Sequence, residues 1–199
     1  MPKPSHREKL LEAGFEVVLE RGYCGASVRD IVHAAGAPQG SFTNHFPSKE
    51  AFCLELLDRY FAMVEENIRL TLRNDASKPL ARLEKWFDIQ VRFLKKAGMR
   101  NGCLIGNFSA EASEHSEPIR KRLREIYHEI HRSVAYCLEA AVKAGELHAS
   151  ADCDELAHFL YAALHGAILQ SKVEHSPAPL KRFKKTLFAV VLRPEPPRL

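Results

Sequence analysis

SVRDIVHAAGAPQGSFTNHF, residues Ser27 to Phe46, carries two short helical signals separated by a turn signal. Ser27 followed three residues later by Asp30 is a capping-box pattern, which predicts a helix from Val28. Val28, Ile31 and Val32 fall at i, i+3, i+4 and mark its buried side. Ala35-Gly36 predicts the stop, because glycine accepts the left-handed conformation that ends helices. Pro38 suits the first turn of a second helix, from about Pro38 to about Asn44. Phe42 and Phe46, four apart, would hold one side of it to a core and leave Gln39, Gly40, Ser41, Thr43 and Asn44 facing outward. A short, exposed, polar helix after a glycine turn is the reading element of a helix-turn-helix.

The surrounding residues extend this reading. SVRDIVHAAGAPQGSFTNHFPSKEAF resembles the N-terminal signature of the TetR family of bacterial transcriptional regulators, over about Arg7 to Leu57. Ser27, Ala35-Gly36, Gly40, Phe42, His45-Phe46 and Ser48-Lys49-Glu50 carry the resemblance. It implies a homodimer on a near-palindromic operator in double-stranded DNA, released by a small-molecule effector. The candidate DNA-binding residues are Ser27, Arg29, Gln39, Gly40, Ser41, Thr43, Asn44, His45 and Lys49, with Lys49 on phosphate. Thr43 stands where the family commonly has a tyrosine that touches phosphate; it keeps a hydroxyl and loses reach.

Composition narrows the class without naming it. The 199 residues are 46% hydrophobic and 27% charged, an ordinary globular balance. The net charge is only +4, and up to Phe46 five basic residues face five acidic ones, so DNA binding is argued from the motif and not from bulk charge. Five cysteines without paired spacing predict reduced thiols in a cytoplasmic protein, and no apolar run reaches membrane-span length.

Periodicity predicts an all-α fold of about nine helices. Its expected parts are a helix-turn-helix domain over 1–46, a connecting helix within 47–74, an effector-binding and dimerisation domain over 75–192, and a flexible tail over 193–199. Met1 to Ser5 reads as a frayed arm or a DNA-touching one.

Within 75–192, Phe87, Val91, Cys103, Phe108, Tyr127, His131, Tyr161 and His165 are the candidate effector-lining residues. His158, Tyr161 and His165 share one face of the penultimate helix. Cys103 starts an apolar, small-residue segment near Arg100, and a helix N-terminus or a cation activates a thiol. GCLIGNFSAE is similar to a TetR subgroup that senses electrophiles; this makes a thiol switch at Cys103 the alternative to a reversible effector, and a small buried hydrophobe the plainer reading. The TetR resemblance further implies that the last two helices form a four-helix bundle with a partner subunit. Leu160, Leu164, Gly166, Ile168, Phe183 and Leu187 are its candidates, with intrachain core as the competing explanation. His128 and His131 lack a second ligand pair, and no Ser-His-Asp order, phosphate loop or dinucleotide glycine pattern occurs. The reading therefore includes no metal, no cofactor and no enzyme.

Overall fold

The computed structural model describes residues 6–193; the expectations for the N-terminal arm and, beyond Arg193, the tail lie outside them. The described residues form nine α-helices and no strand. These are α1 (His6–Gly25), α2 (Val28–Ala34), α3 (Ser41–His45), α4 (Lys49–Leu70), α5 (Pro79–Lys96), α6 (Leu104–Glu111), α7 (Glu117–Lys143), α8 (Cys153–Glu174) and α9 (Ala178–Thr186). A π-helical turn, Leu187–Val191, continues α9. The chain divides into two compact units, one of the residues up to Ala62 with Gly102–Glu125, the other of Met63–Asn101 with the residues from Ile126 on. α4 and α7 each contribute to both.

In the N-terminal unit α1 packs against α2, α3 and α6. Its core gathers Leu10, Leu11, Val18, Ile31, Val32, Phe42, Phe46, Phe52 and Leu56. The rings of Phe42, Phe46 and Phe52 lie 4.9–5.4 Å apart in tilted and edge-on pairs, so α3 is bolted to the start of α4 through aromatic contacts. Ion pairs close the outside: Arg59 on α4 meets Glu8 on α1, and Arg7 meets Glu55. Glu8 on α1 is therefore ion-paired.

In the C-terminal unit α8 packs on α9, over a core that includes Leu83, Trp86, Phe87, Ile130, Val134, Leu138, Leu160, Leu164, Leu180 and Leu187. Asp75, in the polar break before α5, accepts the Tyr136 hydroxyl at 2.8 Å and pairs with Arg82. The Arg82 guanidinium, buried, also donates to the Ser77 carbonyl at 2.7 Å. The break is thus pinned to α7 instead of hanging free.

Candidate functional site

The capping box forms as its spacing predicts. Asp30 N–H donates to Ser27 Oγ at 3.1 Å, and Ser27 N–H donates to Asp30 Oδ2 at 3.0 Å. The Ser27 hydrogen bonds, with Arg21 at 2.9 Å adding charge, hold the Asp30 carboxyl below its usual range. Gly36 adopts φ +57° after α2. The second helix starts later than expected, at Ser41, because Pro38 belongs to a turn whose closing bond runs from Ser41 N–H to the Pro38 carbonyl at 2.9 Å. This turn uses residues 38–41 as a corner, which leaves five residues for α3.

The starting point of α3 sets which side chains look outward. Gln39, Gly40, Thr43, Asn44 and His45 are exposed, as are Ser27 and Arg29. Ser41 is only 8% exposed, which corrects the expectation that it faces outward. With Phe42 it forms the buried side of the helix. The Thr43 hydroxyl donates to the Gly40 carbonyl at 3.1 Å, so its proton is engaged within the helix. Lys49 begins α4 with its ammonium 4.8 Å from the centre of the Tyr23 ring. Ala51 N–H donates to Ser48 Oγ at 3.0 Å, and the first turn of α4 leaves further backbone N–H groups beside Lys49. A flat outward patch of amide, hydroxyl and imidazole groups flanked by a cation and a helix N-terminus can take base edges and phosphate.

Four of the effector candidates come together in the C-terminal unit. Tyr127 and His131 on α7 meet Tyr161 and His165 on α8, with ring centres 4.6–6.4 Å apart. His158 joins them, 3.9 Å from His131. Burial, with His131 beside it, lowers His165 to about 4. Burial and then His158 lower His131. Burial thus favours the neutral imidazole at both His131 and His165. Phe87 is instead core, packed on the Phe183 ring at 5.5 Å, while Val91 is half-buried.

Cys103 and Phe108 belong to the N-terminal unit. Phe108 is fully buried and meets Tyr23 edge-on at 5.8 Å, apart from the Tyr127–His165 cluster in the other unit. Cys103 is the half-buried N-cap residue of α6, and its sulfur lies 3.5 Å from the Tyr60 hydroxyl. Burial pushes the Cys53 and Cys137 thiols up to about 12 and about 11, which disfavours their thiolates. No group of three or more His, Cys, Asp or Glu among the described residues is arranged to hold a metal.

The dimer candidates require the largest correction. Leu160, Leu164, Ile168 and Leu187 are buried inside the chain, and Phe183 is half-buried on Phe87. The opposite face of α8 is the exposed one. Phe159 (53% exposed), Ala162, Gly166, Leu169 (60%) and Val173 (82%) follow one another at alternating spacings of three and four residues. Val190, after α9, is 60% exposed. A groove of about 360 Å³ runs beside this stripe, lined by Phe159, Gly166, Gln170, Phe183, Thr186 and Val191. The stripe was legible as a 3-4 repeat, but the equally apolar inner face of α8 masked it.

The sequence also matches two family descriptions. Residues 10–56 match the bacterial regulatory proteins of the tetR family, and residues 79–187 match the tetracyclin repressor-like C-terminal domain. The chain belongs to the TetR family. Among its relatives, the HTH-type transcriptional repressor DhaR of Mycobacterium sp. strain GP1 is 38% identical over 96% of this chain and 95% of its own. The HTH-type transcriptional repressor NemR of Escherichia coli K12 is 31% identical over 88% of each. The crystal structure of regulatory protein TetR from Rhodobacter sphaeroides superposes with a TM-score of 0.86 at 32% identity, covering 92% of this chain and 96% of the other. This chain is therefore a TetR-family transcriptional regulator over both of its units. None of its described helices is long and apolar enough to cross a membrane.

Proposed function

We propose that this TetR-family regulator is a cytoplasmic, ligand-responsive repressor. A homodimer binds a near-palindromic operator, and a small-molecule effector releases it. The observation that carries the DNA half is the exposed polar face of α3, held rigid by the Phe42–Phe46–Phe52 cluster. In this reading Gln39, Thr43 and Asn44 face the major groove, Gly40 allows close approach, and Ser27, Arg29, His45 and Lys49 contact the backbone. A single five-residue reader makes few base contacts. Two readers about one helical turn apart, roughly 34–36 Å, match successive major grooves.

The exposed 3-4 stripe of α8 supports the dimer half, because that spacing is the seam by which helices of two chains interlock. The second copy supplies the same stripe through two-fold symmetry. The effector half rests on the Tyr127–His131–Tyr161–His165 cluster, where polar ring groups converge in a mostly apolar unit. Release requires that the effector prefer one of two dimer shapes, since equal affinity for both shifts nothing.

The deciding experiment selects duplexes from a random pool with the purified protein, followed by binding titrations of variants. Asn44→Ala relaxes specificity at about one base pair per half-site, on the order of 1–3 kcal/mol. Lys49→Ala weakens all sequences alike and flattens the salt dependence. Base preference altered by Lys49→Ala and untouched by Asn44→Ala refutes these roles. Trp86, the single tryptophan, is buried in the C-terminal unit, so its emission reports effector binding there.

A further inference from the structure

The end of α6 lies against the turn that feeds the chain into α2. Gly22 leaves helical geometry with φ +76° and ψ 179°, in the region that favours glycine. The first bond after it runs from Ala26 N–H to the Gly22 carbonyl, so Gly22 occupies the capping position of a new short helical piece. The N–H groups that open such a piece lack helical partners, and glycine has no side chain to satisfy them. Glu111, from the last turn of α6, does so instead. Its Oε2 accepts the Cys24 N–H at 3.1 Å, the one described partner of that carboxylate. The carboxyl group sits directly on Gly22: a Cβ there would collide with both of its oxygens.

One turn earlier on α6, Phe108 meets the edge of Tyr23, and the face of Tyr23 carries the Lys49 ammonium. α6 therefore grips two consecutive residues, Tyr23 by packing and Cys24 by a hydrogen bond from its backbone N–H. Three residues beyond Cys24 stands Ser27, the cap of α2.

We propose that Glu111 is a positioning residue for DNA binding: it latches α6 to the Gly22–Cys24 turn and so fixes the helix-turn-helix and Lys49. The proposal rests on reading Ser27–Lys49 as the DNA-binding segment.

The test compares Glu111→Gln, Glu111→Asp and Glu111→Ala with wild type. Hydrogen exchange of the Cys24 amide and of residues 27–46 is followed by NMR, and affinity for a random-sequence DNA duplex by fluorescence anisotropy. Gln keeps an acceptor oxygen at the same reach and stays near wild type in both. Asp keeps the charge but falls one methylene short. It behaves like Ala, with Cys24 exchange about tenfold faster and DNA affinity lowered about three- to tenfold. The reverse order, Asp like wild type and Gln like Ala, means that only charge matters and overturns the latch. Unchanged Cys24 exchange in Ala overturns it as well. Faster exchange with unaltered DNA affinity overturns the positioning role. Absence of DNA binding by wild type refutes the DNA-reading assignment, while the exchange order still decides the contact itself.

Discussion

Gly166→Arg is expected to separate the proposed dimer while leaving each subunit folded. A Cβ added at Gly166 meets nothing within 4 Å in its own chain, so the fold accommodates a side chain there. The stripe around it presents Phe159, Leu169 and Val173, with Val190 nearby after α9, at exposures of 53–82%. Full burial of such a side chain contributes about 1.5–3 kcal/mol, and hiding only the exposed part contributes about 1–2. For both subunits that amounts to about 8–16 kcal/mol gross, against about 4–15 kcal/mol lost in association. A guanidinium enclosed in an apolar seam without a partner costs several kcal/mol, and two-fold symmetry places two of them there. Because each 1.4 kcal/mol is about tenfold in affinity, the dissociation constant rises by at least about a hundredfold. Sedimentation velocity over a dilution series measures it, with helical circular dichroism as the folding control and Gly166→Ala as the tolerated change. A Gly166→Arg protein that sediments as the wild-type dimer at every dilution refutes the interface.

Two further outcomes follow from burial. His165 is held at about 4 when folded, against an ordinary 6.5, so as pH falls through that window the unfolded chain takes up the proton first. Stability present above about pH 6.5 is therefore lost progressively down to about pH 4, by up to about 3 kcal/mol at 1.36 kcal/mol per pH unit; urea titrations across this range should show a shallower loss in His165→Phe, and an unchanged slope refutes the attribution. In the native protein at neutral pH, peptide mass spectrometry after brief maleimide treatment should find Cys24 and Cys103 labelled ahead of Cys53 and Cys137, whose burial disfavours the thiolate; early labelling of Cys53 or Cys137 would contradict that burial.

What the sequence by itself determined was whatever rests on local rules. Ser27 with Asp30, Gly36 after α2, Pro79 at the start of α5 and Asp152 as the cap of α8 each act within one helical turn, and each helix starts or stops where those residues require. The polar face after the glycine turn was readable for the same reason, apart from Ser41, whose burial follows from the start of α3 three residues later than Pro38 indicates. Tertiary structure decided what depends on neighbours far along the chain. α8 is apolar on two faces, so periodicity could mark both and choose neither; burial of the Leu160–Leu164–Ile168 side within the chain left Phe159, Leu169 and Val173 outward. The neighbours of Phe108 were likewise out of reach of local rules: α6 packs on α1 and places its ring against Tyr23. The carboxylate of Glu111 on Gly22 joins residues 89 positions apart in sequence through a hydrogen bond to Cys24 and a close approach that only a side chain without a Cβ permits, and no local pattern records such a pairing.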